Sequence, residues 1–116
     1  MKLEIISPIN GKGLSRTYNA VEEGKELNET NYIELGLVVY KKDKVQRDLM
    51  VTVEATDPEQ NKILAGAGNV TTLYKDNGQP KGVRYYPFHY EFKTPGVHNI
   101  KFTCKNKSVD VNITVN

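Results

Sequence analysis

Apolar side chains recur at every second position through most of this chain, and that period of two narrows its fold more than any other feature. From Tyr32 to Tyr40, YIELGLVVY sends Ile33, Leu35, Leu37 and Val39 to one face. LMVTVEAT does the same with Leu49, Val51, Val53 and Ala55, and FHYEF with Phe88, Tyr90 and Phe92. VHNIKFTC aligns His98, Ile100, Phe102 and Cys104, and SVDVNITV aligns Val109, Val111, Ile113 and Val115. Polar residues fill the alternate sites, which is the pattern of half-buried antiparallel strands.

Turn chemistry separates these runs: KKDK after Tyr40, DPEQN after Thr56, KDNGQPKG after Tyr74, TPG after Lys93 and KNK after Cys104. The main strands are therefore expected at Lys2–Ile6, Tyr32–Tyr40, Leu49–Thr56, Val70–Tyr74, Arg84–Phe92, Val97–Cys104 and Ser108–Val115, lettered A to G. Shorter strands fit Thr17–Val21 and Ile63–Ala65, and AVEEGKEL supports one helical turn at most, since Gly24 interrupts it. Residues 1–116 make a single domain by length. Seven to nine short strands at this spacing predict an all-β antiparallel sandwich with Greek-key connections.

Composition and motifs remove most chemistries. The net charge is +2, and only three of the 16 basic residues are arginine, widely separated at Arg16, Arg47 and Arg84. That is poor equipment for bidentate phosphate or base contacts, so no nucleic-acid partner is expected. The apolar run LEII near the start is too short for a signal peptide, and no stretch approaches a membrane span. The expectation is a soluble chain made without a leader. The glycosylation-type triplets at Asn28, Asn69, Asn106 and Asn112 then read as chance.

No catalytic, metal or cofactor site is expected. His98 and Cys104 share a strand face but stand six residues apart, about 20 Å, too far to ligate one ion. DPEQN places Asp57, Glu59 and Asn61 at alternate positions but lacks the glycine and distal glutamate of a calcium loop. Ser7, Ser15 and Ser108 fall at turns or strand starts, outside any nucleophile elbow. Cys104, the one cysteine, excludes an intrachain disulfide and reads as a small core residue. Glu22 and Glu23 have nothing apolar beside them to raise a pKa. The run YYPFHY leaves Tyr85, Tyr86 and His89 as a weak candidate for stacking on sugars, in a chain without tryptophan.

KTPGVHNIKF resembles the PGxYxIxF pattern of immunoglobulin-like domains from bacteria and tailed bacteriophages, with His98 where the tyrosine usually stands. The resemblance implies that His98 is a structural peg whose polar tip bonds back to the backbone at the E–F corner, flanked in the core by Ile100 and Phe102. Ile100 takes the place of the cysteine found in disulfide-bonded members. Within that class the chain looks most like an accessory virion protein, a decoration protein docking on the major capsid protein lattice and self-associating there. Its place would be the virion, after assembly in the host cytoplasm. The competing reading is a module of a bacterial surface adhesin at the cell surface, or a carbohydrate-binding accessory domain.

The docking face expected from alternation is the outward side of strands B and E. It carries Tyr32, Val38 and Tyr40 on B, and Tyr85, Pro87 and His89 on E, with few charges between them. Tyrosine-rich apolar surface of that kind is what interfaces use. The competing reading has the connection Gly11–Asn31 folding over this face.

Overall fold

The computed structural model describes residues 2–6, 15–16, 18, 31–41, 44–45, 49–76 and 79–116. Ten strands run in chain order: β1 Lys2–Ile6, β2 Ser15–Arg16, β3 Tyr32–Lys41, β4 Lys44–Val45, β5 Met50–Thr56, β6 Lys62–Asn69, β7 Thr72–Asp76, β8 Gln79–Glu91, β9 Gly96–Cys104 and β10 Lys107–Val115. There is no α-helix among the described residues. The helical turn expected at AVEEGKEL lies outside them, as does the strand at Thr17–Val21 apart from Tyr18, which is not in a strand.

The strands form two five-stranded sheets, ordered β1-β3-β8-β7 with β4 beside β3, and β2-β10-β9-β5-β6. Every ladder is antiparallel except the two-residue pairing of β2 with β10. The inner faces meet in one core. Leu35, Leu37, Phe88 and Phe92 come from the first sheet, and Val53, Ile100, Phe102 and Ile113 from the second. Aromatic edges tie the layers together: Tyr86 and Phe88 both meet Phe102 edge-on, with ring centroids 6.4 and 5.9 Å apart. The result is a sandwich-like all-β architecture.

Two local devices shape it. On β6, Gly66 and Gly68 face Tyr86 of the opposite sheet so closely that a Cβ would lie 2.7 Å from its hydroxyl and 2.6 Å from its ring. The weak strand former AGAG is thus held extended by a ring lying on its backbone. Just after β8, Phe92 donates its N–H to the Asn31 carbonyl just before β3. By alternation Tyr90, Phe88 and Tyr86 point their N–H groups at β3 too, and Pro87 faces the other way. The β7 ladder stops at Thr72–Tyr85, two residues before Pro87, so the missing N–H interrupts no ladder among the described residues. The β3–β8 register runs unbroken through Gly36–Pro87.

Candidate functional site

His98 enters from the turn that precedes it. Gly96 sits at φ +125°, a conformation glycine adopts without strain, and lets the chain reverse after Thr94–Pro95. A Cβ at Gly96 would lie 2.6 Å from Pro58, so this turn and the β5–β6 turn are packed face to face. From Gly96 the alternation carries His98 inward, to 1% exposure.

Both ring nitrogens of His98 are engaged. Nε2 lies 2.8 Å from the Thr94 carbonyl, an acceptor only, so Nε2 carries the proton and donates it. Nδ1 is then an acceptor, and the Tyr90 hydroxyl donates to it over 2.6 Å. The Tyr90 ring meets the imidazole edge-on at 5.5 Å between centroids. Burial raises the Tyr90 phenol above its ordinary pKa, and the Asp57 carboxylate pushes the same way.

These groups lie at the bottom of a pocket of about 170 Å³ between the two turns, walled by Ala55, Ile63, Glu91 and Lys93. Asp57 stands at its rim, committed to the turn. Its Oδ1 accepts the N–H groups of Glu59 and Asn61, each at 2.9 Å, and its Oδ2 accepts the Asn61 amide at 3.1 Å. Those bonds, the Asn61 backbone first, hold its carboxyl below the usual carboxylate range, although partial desolvation opposes them. DPEQN is therefore a hydrogen-bonded hairpin turn whose leading carboxylate serves its own backbone. The Tyr90 hydroxyl occupies the His98 lone pair, and because the two residues stand on different sheets the bond clamps the layers together.

The outward face of β3 and β8 differs from the sequence expectation. The register pairs Glu34 with His89 and Gly36 with Pro87, so the outward parity of Tyr85, Pro87 and His89 stands. Val38 shares that parity yet is 2% exposed; alternation assigns a face and not whether that face is covered. Tyr85 lies half-buried across Gly36, where a Cβ would come within 2.6 Å of its ring and 3.0 Å of Ile6. His89 is exposed and its Nε2 lies 3.2 Å from the Glu34 carboxylate. Tyr32 is 37% exposed. The side chain of Tyr40 lies outside the described residues. The exposed side chains here are thus Tyr32 and His89, with Glu34, Tyr85 and Pro87 partly buried. The sugar-stacking trio is separated as well, with Tyr86 turned into the core away from Tyr85 and His89.

Ile100, Phe102 and Cys104 are fully buried on the same row as His98. Burial raises the Cys104 thiol above its ordinary pKa, with a small opposing pull from Lys105. No cluster of three or more His, Cys, Asp or Glu capable of holding a metal occurs among the described residues. None of their helices is long and apolar enough to cross a membrane. What the alternation could not reveal was Tyr90 as the partner of His98, since that contact joins different sheets. Comparison with protein-family models, curated proteins and solved structures finds no match.

Proposed function

We propose that this chain is an immunoglobulin-like sandwich acting as a non-catalytic protein-binding module, and within that class an accessory virion protein that docks on a repeated protein lattice. The observation that carries the reading is the strand order. Lettering β1, β3, β5, β6, β7, β8, β9 and β10 as A, B, C, C′, D, E, F and G turns the two sheets into A-B-E-D and G-F-C-C′. With the two-residue strands β2 and β4 set aside, that order supports an immunoglobulin-like reading in which C′ is an added edge strand. The Tyr90–His98 clamp supports the same reading, because it uses the polar groups at the E–F corner for fastening the fold. The virion half rests on the resemblance of the turn before His98.

Docking would be by surface complementarity, with Tyr32 as the aromatic anchor on the β3–β8 face that also carries His89 and, further along, Pro87. The test is mass spectrometry of purified virus particles produced from the genome that encodes the chain. Copies in fixed ratio to the major capsid protein, lost in a Tyr32→Glu variant of unchanged melting temperature, are the expected result. Particles that lack the chain altogether would overturn the virion reading.

A further inference from the structure

The outer edge of β6 is an open edge of the second sheet. No strand pairs with that edge among the described residues. The strand, KILAGAGN, has one charge and no proline, and it exposes Ile63 and Leu64 at 59% and 70%. Edges of this kind are templates for pairing with another chain.

The hydrogen-bonding phase of β6 identifies which chain. Val70 donates its N–H to Leu49 at the end of the β5–β6 ladder, so Gly68 and Gly66, opposite Val51 and Val53, also point their backbone groups at β5. Ala67 and Asn69 therefore point outward. At the other end Asp57 donates to Asn61, so Ile63, opposite Ala55, points at β5, and Leu64 and Lys62 point outward. The register shift at Ala65 makes these two halves mirror each other: the outward-facing residues are Lys62, Leu64, Ala67 and Asn69.

We infer that β6 pairs antiparallel with β6 of a second copy of this chain about a two-fold axis through Ala65 and Gly66, joining the two sheets edge to edge. In that register Lys62 faces the partner's Asn69 and Leu64 faces the partner's Ala67, so every outward-facing residue meets another and exchanges both backbone bonds. Side chains agree with the backbone. Leu64 lies opposite an alanine and Ile63 opposite a glycine, large against small on each face. The two copies of Lys62 end up about 23 Å apart, at opposite ends of the interface, so no like charges meet. The inference stands on the edge alone and is independent of what the β3–β8 face binds.

The test is sedimentation velocity of the full chain over a concentration series, with two variants. Ala67→Pro removes an N–H that the monomer does not use, and Leu64→Lys places a charge on the edge without touching the core. A concentration-dependent dimer is expected, with at least a tenfold weaker dimerisation constant in either variant and an unchanged monomer melting temperature. Register is read by cysteine cross-linking: Leu64→Cys mixed with Ala67→Cys should give a disulfide-linked dimer, and neither variant alone should. A chain that stays monomeric up to millimolar concentration, a dimer indifferent to both variants, or cross-links within single variants would each overturn the inference.

Discussion

The Tyr90 hydroxyl and His98 Nδ1 lie 2.6 Å apart and belong to different sheets, Tyr90 to β8 and His98 to β9. One hydrogen bond therefore fastens the two layers inside the core. Nε2 donates to the Thr94 carbonyl, so His98 also anchors the β8–β9 turn through its second ring nitrogen. An imidazole buried this deeply would be costly with either nitrogen unpaired. Tyr90, Thr94 and His98 form one satisfied unit.

Tyr90→Phe keeps the ring and removes the donor, leaving Nδ1 buried without a partner. The expected loss is about 1–3 kcal/mol in urea denaturation, with an unchanged m-value. A loss below a few tenths would mean that water or another donor replaces the phenol.

Gly96→Ala is expected to cost about 2–4 kcal/mol, by thermal or urea unfolding. The alanine would occupy φ +125° and drive its Cβ into Pro58 at 2.6 Å. A neutral outcome would show that the two turns separate freely.

Cys104 has no exposed surface and its thiol is raised by burial, so little thiolate forms at neutral pH. Labelling by a thiol reagent should track global unfolding, rising with denaturant and negligible in the native protein. Rapid native labelling would place the end of β9 outside the core.

Stability should fall at alkaline pH. Burial raises the phenols of Tyr86 and Tyr90 above their unfolded value of 10.0, so the native state holds protons that the unfolded chain releases. Below that pH the two states bind these protons equally; above it the unfolded state gains, until the native phenols also ionise. Melting temperature against pH is expected to drop above about 10, and a Tyr86→Phe, Tyr90→Phe double variant should show a shallower drop from its lower starting point.

Much of this fold is legible in the sequence because burial on one face writes a period of two into each strand. Ile33 to Val39, Val51 to Ala55 and His98 to Cys104 are buried where alternation places them. The strand expected at Ile63–Ala65 is longer, Lys62–Asn69, because Gly66 and Gly68 carry no strand signal; their extension depends on Tyr86 from the other sheet. β8 starts at Gln79 where a turn was expected, since the Lys75–Pro80 and Asp76–Gln79 pairs continue the ladder through a proline and past a glycine. Val38 fails for the opposite reason: its parity is read correctly, and its burial depends on what lies over the sheet. The His98 site was half visible, its inward direction set by parity and its Tyr90 partner set only by sheet packing.

The most direct test of the clamp is equilibrium unfolding of His98→Ala. The substitution leaves a cavity beside Phe92 and Tyr90 and strips the Thr94 carbonyl and the Tyr90 hydroxyl of their partner. A loss of about 2–4 kcal/mol is expected, appearing as a lower midpoint at constant m-value. An unchanged midpoint would contradict the account, because the fold would then not depend on the Tyr90–His98–Thr94 clamp.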